Sequence, residues 1–126
     1  RGQSMLEFAL TLPIFLWIVV GIFDFSRGIA TYSLLGNCAR EGARAAIFPN
    51  TSDAVIQGAV NSETLFLGNV PSTITMQITP SSQSNRTSGT TITVKLSYNY
   101  YPLTPLLSNV VGNSIAMTAQ STMTIE

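Results

Sequence analysis

The sequence predicts an α+β chain shaped like a lollipop: a long N-terminal α-helix packed, over its second half, on a small antiparallel sheet of about three strands, with one short extra helix. Three observations predict it. An uncharged apolar run near the start is followed without a break by a helical period. After Pro71 the pattern changes to alternation of apolar and polar residues. Between the two lies a shorter stretch with helical spacing, Ser52 or Asp53 through Leu67, closed by Gly68.

The apolar run is FALTLPIFLWIVVGIF, sixteen residues from Phe8 to Phe23 without a charge. Extended to Met5 and Phe25 it reaches the ~20 residues that cross a hydrocarbon core, with Glu7 inside one end and Asp24 inside the other. A cleaved secretory signal has a shorter apolar region and a small-residue cleavage site after it. Here FDFSRG follows and the helical pattern continues, so the segment reads as a retained helix with a membrane stage.

Beyond the run, Phe25, Ile29, Tyr32, Leu35, Ala39, Gly42 and Ala46 recur at spacings of three and four, one stripe of a 3.6-residue period. Asn37, Arg40, Glu41 and Arg44 share the other side. Ser4 and Glu7 have capping-box spacing for the start, and Pro49 with Asn50 gives the stop. From Ser4 to about Phe48 is about 45 residues, or about 65 Å of helix. Pro13 removes one helical hydrogen bond and bends or loosens the shaft. A helix of that length exceeds the width of any small domain, so half of it needs partners elsewhere. The natural division is residues 1–27 as the apolar helix and 28–126 as a head.

In the head, Val55, Ala59, Val60 and Phe66 suggest the apolar side of the short helix. Ile74, Met76 and Ile78 share one strand face. Ile92, Val94, Leu96 and Tyr98 share a second, and Ile115, Met117, Ala119, Met123 and Ile125 a third. The loop from Ser81 to Gly89, SSQSNRTSG, reads as too hydrophilic to pack, and YPLTPLLSNVVGN as an apolar connection broken by Pro102 and Pro105. A three-stranded meander needs a cover for its apolar face, and the small-residue stripe from Tyr32 to Ala46 is the candidate.

Composition removes whole classes of function. Six basic and six acidic residues cancel, and no basic patch could supply the phosphate contacts of a nucleic-acid binder. Charged residues are 10% of the chain, against roughly 25% in an ordinary soluble domain. With no histidine and the single cysteine Cys38, there is no metal-ligand set, no internal disulfide and little acid–base chemistry near neutral pH. No catalytic residue, cofactor or small-molecule substrate is expected. Cys38 reads as a small buried residue.

The segment RGQSMLEFALTLPIFLWIVVGIFDFSRGIATYSLLGNCAREGARAA resembles the N-terminal module of the TadE-like pilins of tight-adherence systems, within the type IV pilin superfamily. The parts that carry the resemblance are Arg1-Gly2, Glu7-Phe8-Ala9-Leu10, Pro13, Asp24-Phe25-Ser26-Arg27 and Ala39-Arg40-Glu41-Gly42-Ala43-Arg44. The last 80 residues carry no comparable motif. The resemblance implies a membrane-inserted precursor, trimmed by a prepilin peptidase between Gly2 and Gln3 and extracted into an extracellular helical filament. Gln3 would be the first mature residue and Glu7 the fifth, where pilins carry a glutamate. It further implies identical subunits as partners, together with the inner membrane and the assembly machinery before polymerisation.

On that reading Phe8, Leu12, Phe15, Trp17, Val19, Ile22 and Phe23 fill the filament core. Glu7 sets axial register by accepting an incoming N-terminal amine, or Arg1 if retained; otherwise it is the inner half of the cap. Asp24 and Arg27 form an i,i+3 pair, or alternatively a bridge between subunits, and Pro13 allows local stretching as an alternative to a kink. Asn50 and Asn85 spell glycosylation sequons, with hydroxyl-linked sugar on Ser81 to Thr91 an equal alternative. The functional expectation is the structural subunit of an adhesive, Tad-like surface pilus. The alternatives are a minor pilin or pseudopilin that initiates or anchors another filament, and a single-pass membrane-anchored binding module.

Overall fold

The computed structural model describes residues 2–64 and 74–126, with side chains described except at 106 and 107. Arg1, the expected end of the short helix at Phe66, Leu67 and Gly68, and Pro71 lie outside the described residues. Helix α1 (Gly2–Ala45) is followed by α2 (Asp53–Thr64), β1 (Thr75–Thr79), a 3-10 turn (Gln83–Asn85), β2 (Thr91–Tyr100), α3 (Pro105–Val111) and β3 (Ile115–Thr124). The three strands form an antiparallel meander in the order β1–β2–β3, and α1 packs on α2, β2 and β3. The fold is α+β with a long N-terminal helix, as its sequence pattern requires.

The strands obey period two. Met76 stands opposite Leu96 and Ile78 opposite Val94; on the other side Ile92 faces Met123, Leu96 faces Ala119 and Tyr98 faces Met117. All these side chains lie on the covered face, with Ile92, Val94 and Leu96 fully buried. Above them sit Leu35, Cys38, Ala39 and Ala43 of α1, Ala46 just beyond its end, and Ile56 and Val60 of α2. Burying each Ile, Leu or Val contributes about 1.5–3 kcal/mol, so this layer is the main stabilising term of the head. Small residues on α1 let the helix come close: a Cβ on Gly42 would lie 2.7 Å from Val60 Cγ2 and 3.3 Å from Val94 Cγ1.

Several expectations need correction. The helix begins at Gly2, ahead of the anticipated cap, so Ser4 lies within the first turn. It stops at Ala45 rather than near Phe48: the Ala46 N–H bonds the Ala43 carbonyl in a tightened last turn, and the Ile47 carbonyl turns away to accept from the Glu126 N–H. The buried line of α1 is Asp24, Gly28, Thr31, Leu35, Cys38, Ala39, Gly42, Ala43, which leaves Phe25, Ile29 and Tyr32 exposed at 64%, 53% and 56%. The upper part of the stripe is thus turned away from the sheet. On α2 the inward residues are Ile56, Val60 and Thr64, while Val55 is exposed.

The polar loop does pack. Arg86 is fully buried, its Nε donating to the Pro80 carbonyl (3.2 Å) and its Nη1 to the Thr51 carbonyl (2.8 Å). Nη2 faces the Asp53 carboxylate as an ion pair, without the alignment of a hydrogen bond. Asp53 opens α2, where the helix dipole also favours an acid. One arginine therefore ties the 81–89 loop to the start of α2. The apolar connection after β2 folds as well: Pro105 takes the first position of α3, where a missing N–H costs nothing.

Candidate assembly face and the Asp24 latch

From Met5 to Phe23 every residue of the helix is exposed but Val19 and Gly21, which are half-buried. Phe8, Leu12, Phe15, Trp17, Ile22 and Phe23 are all exposed, and Val19 is half-buried. The most apolar eighteen-residue window of α1 has a mean hydropathy of 2.2 and no buried residue, and the helix is long and apolar enough to cross a membrane. A helix apolar on every side and bare of neighbours is stable only in lipid or among other apolar chains. The exposed side chains Phe25, Ile29 and Tyr32 carry this surface past the end of the uncharged run and onto the flank of the head. There they line an open groove of about 570 Å3 with Ile115 and Met117 of β3.

Glu7 and Pro13 lie within the continuous helix, Glu7 exposed and its carbonyl accepting from the Thr11 hydroxyl at 2.7 Å. Gly2 and Gln3 form the exposed helix start. Asn50 and Asn85 are both exposed, 35 positions apart in sequence yet tied through neighbouring groups. The Asn50 N–H donates to the Arg86 carbonyl, and Asn50 adopts φ 57° as the chain turns out of α1. Among the described residues no group of three or more His, Cys, Asp or Glu side chains comes together to hold a metal.

Asp24 is the residue that the sequence pattern misplaces. It is 4% exposed, and Arg27 is not its partner. Its Oδ1 accepts from the Tyr100 hydroxyl at 2.8 Å and the Leu103 N–H at 3.3 Å; Oδ2 accepts from the Thr104 N–H at 3.1 Å and the Thr104 hydroxyl at 2.7 Å. Arg27 instead lies over the Tyr100 ring, 5.8 Å from its centre. Four donors from one short segment hold one carboxylate, so the head is latched to α1 where the uncharged run ends.

Local sequence explains the donors. Alternation along β2 turns Tyr100 to the same face as Leu96 and Tyr98. Pro102 and Pro105 keep their preceding residues extended, and Thr104 sits at φ −90°, ψ 132°. Thr104 occupies the N-cap position of α3 but makes no side-chain cap; its hydroxyl goes to Asp24. The available signal was Asp24, Gly28, Thr31, Leu35 as a stripe in its own right, one position round from the greasier set.

Burial, followed by donation to the Asp24 carboxylate, pushes the Tyr100 hydroxyl up to about 12 from its ordinary 10.0. Below pH 10.0 the hydroxyl is protonated in folded and unfolded chains alike and its stabilisation is complete. Between 10.0 and about 12 only the unfolded chain gives up the proton, so stability falls as pH rises through that window. The slope is about 1.4 kcal/mol per pH unit at most. Urea midpoints of the full chain in detergent should drop across that window, and the Tyr100→Phe chain should lack this part of the drop.

The profile of the family described as TadE-like protein matches residues 2–44, all of α1 except its last residue, Ala45. No curated protein and no solved structure matches the chain. The family is one of pilin-like proteins associated with Tad pili, structural rather than enzymatic, and the bare apolar helix accords with membrane insertion. The likeness to the TadE-like family is thus confined to α1, the helix that carries the exposed rod.

Proposed function

We propose that this chain is a structural pilin that polymerises through α1 into a helical surface filament after a membrane-inserted stage. The observation that carries this reading is the sixteen-residue uncharged run from Phe8 to Phe23, presented by a single copy with almost no cover of its own. At about 25 cal/mol per Å2, burying a few hundred Å2 per neighbour stabilises each contact by several kcal/mol before the costs of association. Contacts that do not close into a ring propagate as an open helix. Phe25, Ile29 and Tyr32 extend the same contact onto the head, so a neighbouring helix would meet both rod and flank.

Within this reading Gly2–Gln3 is the cut site, and Glu7 takes the neighbour's new N-terminal amine. That pair relieves the one carboxylate that polymerisation would bury near the start of the rod. Arg27, already held over Tyr100, is free of Asp24 and turned toward solvent. Asn85, exposed on the 3-10 turn, is the better placed sequon for sugar on a filament surface. Sheared surface filaments test the proposal. Their dominant band should be this chain with Gln3 at its N-terminus; a trace component, or a chain that stays with membranes as discrete particles, would refute it.

A further inference from the structure

The latch places a second segment at the depth where the rod leaves the head. Leu103 and Thr104 bond Asp24 directly, and Thr104 and Pro105 line an open groove of about 550 Å3 together with the Val20, Gly21 and Trp17 side of α1. The segment from Tyr101 to Val111 is therefore fixed beside the end of the uncharged run. Four of its apolar side chains are bare: Tyr101 is 57% exposed, Leu103 75%, Val110 80% and Val111 51%. No Lys, Arg, Asp or Glu occurs between Lys95 and Glu126. Such a patch on a soluble surface would be an aggregation hazard.

We infer that the Tyr101–Val111 segment is a second membrane contact, lying in the headgroup and upper acyl region of the bilayer while α1 spans it. The inference rests on the membrane stage of α1. Lipid is favoured over another protein by continuity: a bilayer that covers Phe8 to Phe23 ends beside Asp24, where Leu103 is hydrogen-bonded, so lipid meets these side chains without any further partner. Chemistry agrees. A tyrosine with an apolar body and a polar tip suits the membrane–water boundary, and a short apolar helix with no charge can lie along it. The Asp24 carboxylate beside it is already satisfied by protein donors, which lets an acid stand at that boundary.

The full chain reconstituted in phosphatidylcholine vesicles provides the test, because Trp17 is its single tryptophan and reports the rod itself. Brominated phosphatidylcholine should quench Trp17. In a Trp17→Phe background, Val110→Trp should be blue-shifted and lose most of its emission to lipid brominated high on the acyl chain, and little to aqueous iodide. Tyr101→Trp serves as a second reporter if Val110→Trp does not fold, and Phe48→Trp, just beyond the C-terminal end of α1, should respond to iodide alone. Quenched Trp17 with an iodide-sensitive, lipid-blind residue 110 or 101 would overturn the inference; shielding of that residue only in assembled filaments would assign the patch to a second copy. An unquenched Trp17 would instead refute the membrane stage.

Discussion

Replacing Asp24 by alanine is expected to lower the stability of the head by about 3 kcal/mol, the scale of losing several hydrogen bonds to one charged group. The substitution removes the shared acceptor of Tyr100, Leu103 and Thr104. The Tyr100 hydroxyl lies in the buried part of the site and is left with only the Asp24 backbone carbonyl at 3.0 Å. The two amides lie nearer the surface and recover part of their bonding from water, which keeps the loss below a full sum over four bonds. Asp24→Asn should lie between the two, because one of its side-chain atoms becomes a donor facing donors. Thermal melts of the full chain in detergent, with amide exchange at Leu103 and Thr104 as the local readout, measure both. An unchanged melting temperature with unchanged exchange would show that the latch carries no stability.

Gly42→Leu should be the other large loss. The missing Cβ would stand 2.7 Å from Val60 Cγ2, closer than carbon atoms approach, and 3.3 Å from Val94 Cγ1. Val60 is β-branched and held within α2, so it has no free rotamer into which to withdraw. Overpacking costs typically about 1–3 kcal/mol, and a leucine here, driven between α1, α2 and the sheet, should reach or exceed the upper figure. Gly42→Ala should cost less, since alanine recovers about 1 kcal/mol of helix propensity. Gly58→Ala is the matching control: nothing lies within 4 Å of its Cβ, so it should stabilise α2 by about that amount. Urea midpoints for the three chains, in that order of stability, check the argument; a Gly42→Leu midpoint equal to that of the parent would refute the close helix contact.

Much of this molecule is written in local periods. The three strands and their inward faces follow from alternation at Ile74 to Ile78, Ile92 to Tyr98 and Ile115 to Ile125, because one slip would turn a whole face to water. The uninterrupted helix follows from an apolar run that flows into a 3.6-residue period. What stayed hidden depends on contacts distant in sequence. Hydropathy alone turns Phe25, Ile29 and Tyr32 inward, whereas the fold turns in Asp24, Gly28 and Thr31, because donors 76 to 80 positions away meet the acid there. Arg86 looks like loop solvent exposure until the carbonyls of Thr51 and Pro80 and the Asp53 carboxylate surround it. α3 is hidden by Pro102 and Pro105, which read as breaks although Pro105 starts the helix.

The rod's shelter can be measured without labels. In a single copy Trp17 is 57% exposed, and it is the chain's one tryptophan. In filaments sheared from cells and kept free of detergent, its emission should be blue-shifted and insensitive to iodide, since neighbouring copies enclose it. A detergent-free, monodisperse monomer with α1 intact, whose Trp17 iodide quenches as freely as a model indole, would contradict the account.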